Sequence, residues 1–170
     1  FFFLDTNFEW QDHDEIQEQY NNMLHLINKS KQRWKILCGH HTWRSVGGHG
    51  NAHKRLETFL RDLVIHSEKP IHLYMCGHDH CKNVIHLKIS EHQSLYCVVI
   101  GTGGKPYDDE YVFLENIEGP NPKVKDSELL FHSPTLGLCE LKSSAKDMNL
   151  TFHAPHGSKG TIVEYKLHIR

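Results

Sequence analysis

Two short motifs, Gly39-His40-His41 and Gly77-His78-Asp79-His80, place histidines directly after apolar runs, Ile36-Leu37-Cys38 and Ile71-His72-Leu73-Tyr74-Met75-Cys76. A buried strand that ends in glycine and then histidine delivers an imidazole to the rim of a sheet, because glycine lets the backbone turn sharply there. Three such nitrogens, from His40, His78 and His80, could hold a metal, and histidine is the commonest metal ligand. One residue separates His78 from His80. If the backbone stays extended, both side chains point the same way and reach one site.

Further along, Phe2-Phe3-Leu4-Asp5-Thr6, Gly47-Gly48-His49-Gly50 and Val99-Ile100-Gly101-Thr102-Gly103-Gly104 join the two histidine motifs. Any one alone is weak, but in this order they resemble the C-terminal half of a calcineurin-like metallophosphoesterase, of the purple (tartrate-resistant) acid phosphatase kind. The resemblance implies an α/β fold, the C-terminal part of a four-layer α/β/β/α sandwich. It implies that His40 and His78 bind one metal of a dinuclear pair and that His80 binds the other. It also implies that His49, nine positions beyond His40, lies near the substrate phosphate, binding it or protonating the leaving group. The metals would be two divalent or trivalent ions, iron with iron, zinc or manganese, and the substrate a phosphate ester.

The chain departs from that pattern in two ways. His41 and Thr42 stand where the family has an aromatic and a proline, and His41 reads as an exposed loop residue. More seriously, the family's aspartate, tyrosine and asparagine ligands come from upstream motifs, and neither Gly-Asp-x-x-Tyr nor Gly-Asn-His occurs here. The expectation is therefore one domain over residues 1–170, part of a metallophosphoesterase domain whose N-terminal half is absent. Phe1-Phe2-Phe3-Leu4, a run fit for a buried strand at the very start, fits that reading. Two alternatives stay open: a catalytically inactive binding or scaffold module, and a single zinc held by His40, His78, His80 and water. Asp79 reads equally as a carboxylate orienting a ligand histidine or as a turn residue. His53 matches a residue of related acid phosphatases and reads as structural.

Several elements must position these residues. Ile16, Tyr20, Met23, Leu24 and Ile27 fall at helical spacing over residues 14–29, and Leu56, Phe59, Leu60, Leu63 and Val64 mark a second helix that Pro70 follows. Residues 34–38 and 71–76 read as buried strands flanking that second helix, with both histidine motifs at their carboxyl ends, where ligands gather in open α/β sheets. Residues 84–89 and 95–100 read as further strands. Residues 105–133, rich in Pro, Gly, Asp and Glu, read as a long surface excursion. Residues 136–141, 149–153 and 161–169 alternate apolar and polar residues as antiparallel strands of a second sheet.

Composition narrows the partners. Lysine plus arginine (19) nearly balances aspartate plus glutamate (21), and the basic residues are scattered, which disfavours nucleic acid. No apolar stretch is long enough to span a bilayer. Five cysteines at no framework spacing read mostly as reduced, buried thiols. Asn28-Lys29-Ser30 and Asn149-Leu150-Thr151 would suit N-glycosylation of a secreted chain. The resemblance points to secretion or a lysosome, and the residues leave the compartment open.

Overall fold

The computed structural model describes residues 1–104 and 126–170. In chain order its elements are β1 (Phe2–Phe3), α1 (His13–Lys29), β2 (Ile36–Cys38), α2 (Lys54–His66), β3 (Leu73–Cys76), β4 (Lys82–Lys88) and β5 (Ser94–Ile100). There follow β6 (Ser127–Ser133), β7 (Leu138–Ser143), β8 (Met148–Pro155) and β9 (Thr161–Ile169). One sheet has six strands in the order β1-β2-β3-β5-β4-β6, and β7-β8-β9 form a second.

The helices form where the apolar spacing placed them. Asp12 starts α1 with a capping box: its carboxylate accepts the Glu15 N–H at 2.9 Å, and the Glu15 carboxylate accepts the Asp12 N–H at 3.0 Å. On α2, Leu56, Phe59, Leu60, Leu63 and Val64 are all buried, with Ile27 of α1 beside them. Between the two sheets lies a second core, in which Ile36, Leu73, Val84 and Val98 meet Met148, Leu150, Phe152, Leu167 and Ile169. Strand periodicity explains the division: Leu37 and Tyr74 face the helices while their neighbours Ile36 and Leu73 face the second sheet. The described residues thus stack as α/β/β, three layers of the expected sandwich.

β1, β2, β3 and β5 run parallel, and β4 runs antiparallel between β5 and β6. The β2–α2–β3 unit therefore brings the ends of β2 and β3 side by side, as the two histidine motifs require.

Two expectations are corrected. Residues 105–125 lie outside the described residues, but residues 127–133 are not part of a surface excursion: they form β6, paired to β4 through Val84 and Phe131. The apolar trio Leu129-Leu130-Phe131 packs on both sides of the sheet, which gives that segment reason to be a strand. Phe1-Phe2-Phe3-Leu4 is not buried throughout either. Among the described residues β1 is an edge strand: Phe1 and Phe3 are 66% and 72% exposed, while Leu4 enters the core and Phe2 packs half-buried against it.

Lys82, fully buried, clips the two sheets together. Its Nζ donates to Thr135 Oγ1 and to the Leu136 carbonyl, each at 3.1 Å, and to the Glu164 carboxylate of β9. Under the helices, Arg44 forms a two-pronged pair with Glu57, at 2.6 and 3.1 Å, and also reaches Asp126 at 3.2 Å. Burial pushes the Glu57 carboxyl up, but the hydrogen bonds and charges of Arg44 and Arg61 outweigh it and hold the group below its ordinary range. A carboxyl lowered in the folded state contributes stability above its unfolded value of 4.5, and that stability is lost as pH falls through the folded value. Glu57→Gln is expected to cost about 3–5 kcal/mol at neutral pH, since it leaves Arg44 buried without its main counter-charge. It should also flatten the acid limb of stability, and thermal unfolding from pH 7 to pH 3 in both proteins checks the two effects together.

Candidate metal centre

The ends of β2 and β3 are stitched to each other beyond the strands themselves. Gly39 N–H donates to the Met75 carbonyl at 3.1 Å, and Gly77 N–H donates to the His40 carbonyl at 3.2 Å. The Tyr74 hydroxyl, beneath them, donates to the His41 carbonyl at 2.6 Å. Strand ends locked in this way put His40 and His78 on one rim, and His40 Nε2 lies 3.1 Å from His78 Nδ1. The rings of His41 and His49 stand 4.7 and 4.2 Å from that of His78.

The backbone at His78 is not extended. It takes the left-handed conformation at φ +61°, the one non-glycine residue to do so among those described. Such a conformation costs a non-glycine residue on the order of 1 kcal/mol and is typical of functional turns. The bend separates the two histidines that the one-residue spacing set side by side. His78 turns toward His40, Asp79 turns inward to zero exposure, and His80 lies with its ring 6.4 Å from that of His49.

Among the described residues, the histidine, cysteine and carboxylate groups close enough to share an ion are His40, His41 and His78, with ligand atoms within 4.8 Å of one another. His41, expected to be an exposed loop residue, is half-buried and belongs to this group. His80 stands outside it, which disfavours one zinc shared by His40, His78 and His80. Cys76 and Cys81 take no part, and all five cysteines are free thiols.

The donors fit an ion. Two nitrogens bound to one metal at about 2.0–2.1 Å stand roughly 3 Å apart when adjacent in its coordination sphere, and His40 and His78 already have that spacing. Burial lowers the pKa of His78 to about 4, and the nearby His49, His41 and His40 push the same way against a smaller opposing effect of Asp79. At neutral pH the ring is uncharged and offers a lone pair, as a metal ligand must.

Asp79 holds the second loop to the first. Its carboxylate accepts from the Ser45 hydroxyl and, at 3.1 Å, from the His49 N–H. A Cβ on Gly47 would come within 2.5 Å of that carboxylate, and one on Gly101 within 1.8 Å of the Asp79 carbonyl, so both glycines are demanded by close approach. Thr42, where a proline was expected, closes the same loop by donating its hydroxyl to the Gly50 carbonyl at 2.6 Å. Sequence reasoning singled out His40, His49 and His78, which the fold brings together, and missed the parts played by Ser45, Thr6 and Tyr74. The glycines were the legible trace of the approach to Asp79.

This architecture is the one found in proteins of the calcineurin-like fold. The chain resembles the C-terminal half of a calcineurin-like metallophosphoesterase of the purple acid phosphatase kind. It is 31% identical over 131 residues to purple acid phosphatase 17 of Arabidopsis thaliana, a match that covers 77% of this chain and 35% of that protein. It is 39% identical over 132 residues to purple acid phosphatase 4 of the same plant, covering 78% and 34%. The chain therefore spans about a third of the length of these relatives. No family model matches it. Among solved structures, GAP50, the anchor in the inner membrane complex of Plasmodium, superimposes with a TM-score of 0.73 at 20% identity, over 99% of this chain and 48% of that one. The purple acid phosphatase PPD1 of yellow lupin seeds does so with a TM-score of 0.68 at 17% identity, over 98% and 30%.

Asp79→Ala would leave the Ser45 hydroxyl and the His49 N–H without their carboxylate acceptor, at a cost of about 1–3 kcal/mol. The expected result is a lower unfolding midpoint and faster amide exchange at His49, with exchange at Gly39 unchanged because its acceptor is Met75. Equal acceleration at both amides would show that Asp79 is not what holds the His49 loop.

Proposed function

We propose that this chain forms part of an enzyme that hydrolyses phosphate monoesters at a dinuclear metal centre. His40 and His78 would serve one ion and His80 the other, with upstream residues completing the site. The observation that carries the reading is the meeting of His40 Nε2 and His78 Nδ1 at 3.1 Å, at the carboxyl ends of adjacent parallel strands. Two divalent or trivalent ions, iron with iron, zinc or manganese, would suit the role: imidazole donors suit iron and zinc, and carboxylate oxygens suit manganese. Ions bound there supply neutralisation of the phosphoryl charge and a nucleophile at mild pH.

The chain's own residues do the rest. The bend at His78 aims that ring at His40, and Asp79 anchors the backbone of His49, whose ring lies tilted 4.2 Å from that of His78. From that place His49 can bind a phosphate oxygen or return a proton to the departing alcohol. The relatives named purple acid phosphatases support the phosphatase reading as a whole. A scaffold without chemistry is the less favoured reading, since it gives no reason for His40, His41, His49 and His78 to converge on one rim.

In the full-length protein, His40→Ala and His78→Ala are each expected to remove bound metal and to lower hydrolysis of p-nitrophenyl phosphate by more than about a hundredfold. Metal content and rate both unchanged in the two variants would end the proposal.

A further inference from the structure

Thr6, 2% exposed, sits just beyond β1 and meets the first histidine loop with a single oxygen. Its Oγ1 accepts the backbone N–H of His40 at 3.2 Å and that of His41 at 3.0 Å, and it lies 2.9 Å from His41 Nδ1. A hydroxyl has two acceptor sites and one proton. Both acceptor sites are taken by backbone donors, so the third contact uses the hydroxyl proton and Nδ1 is its acceptor. A doubly protonated His41 would need Thr6 to accept three times, which it cannot do. His41 is thereby held as the neutral tautomer with its proton on Nε2. Tyr74 fixes the other end of the residue through the His41 carbonyl.

A nitrogen that carries a proton has no lone pair for a metal, and the nitrogen that has one is spent on Thr6. The ring nevertheless stands 4.7 Å from that of His78 and 5.0 Å from that of His40, inside the histidine group. We infer that His41 is a hydrogen-bond donor of the site and not a third metal ligand, its Nε2–H serving a phosphate oxygen of the bound ester, with Thr6 as the residue that sets its tautomer. The inference rests on the phosphatase reading for the identity of the acceptor, and on the Thr6 geometry alone for the tautomer.

The test uses the full-length protein. In its metal-free, 15N-labelled form, two-bond proton–nitrogen correlation should show His41 with Nδ1 unprotonated and Nε2 protonated, and Thr6→Val should abolish that preference. In the metal-loaded form, His41→Phe should keep the parent's metal stoichiometry while weakening inorganic phosphate about tenfold, the loss expected for one hydrogen bond to a charged group. A proton on Nδ1, or loss of metal in His41→Phe, overturns the inference even if the enzyme is a phosphatase. A parent protein that binds no metal would overturn the phosphatase reading instead, while the spectrum still decides the tautomer.

Discussion

Burying a carboxylate with no solvent contact costs several kcal/mol, roughly, unless donors replace the lost water, and Asp79 meets that requirement with groups from the other histidine loop. Ser45 gives its hydroxyl proton and His49 its backbone N–H. Ser45 in turn accepts from the Asn83 side chain at 3.0 Å and from the Gly47 N–H at 3.1 Å, so β4 is drawn into the same knot. Two loops far apart in the chain thus behave as one body. The bend at His78 is tolerable for the same reason: the residue after it is pinned from several sides, and the surroundings over-determine a conformation that an isolated peptide would leave.

The other flank of the site is tied with less charge. Thr6 and Tyr74 hold the residues after β2 with hydroxyl groups, one from the edge of the sheet and one from below. Lys82 then secures the second sheet through Glu164, whose carboxyl burial would raise but whose hydrogen bonds from Lys82, Thr135 and Ser133 bring below its ordinary range. The rim that carries the histidines is therefore braced from the helices, the sheet edge and the second sheet.

Much of this was legible in the sequence, for reasons that differ from residue to residue. The helical faces were readable because Leu56, Phe59, Leu60, Leu63 and Val64 recur at the helical period and all of them enter the core. The strands before the histidine motifs were readable because they are buried on both faces and so are continuously apolar. β6 was hidden by the prolines and acidic residues that precede it, which set the composition of the whole stretch. The divergence of His78 and His80 could not be read, because spacing encodes direction only while the backbone stays extended. The place of His41 was hidden likewise, since its partner Thr6 is 35 residues away in the chain.

The crossover that joins β2 to β3 has an energetic consequence as well as a spatial one. His40 and His78, 38 residues apart in the chain, stand next to each other only once α2 lies back across the sheet and the two strands have paired in parallel, so their meeting carries the entropy of ordering the chain between them. Neither histidine can recruit the other from a local hairpin. Were an ion bound by this pair, it would favour the completed crossover over its opening, because binding to the folded arrangement alone stabilises that arrangement.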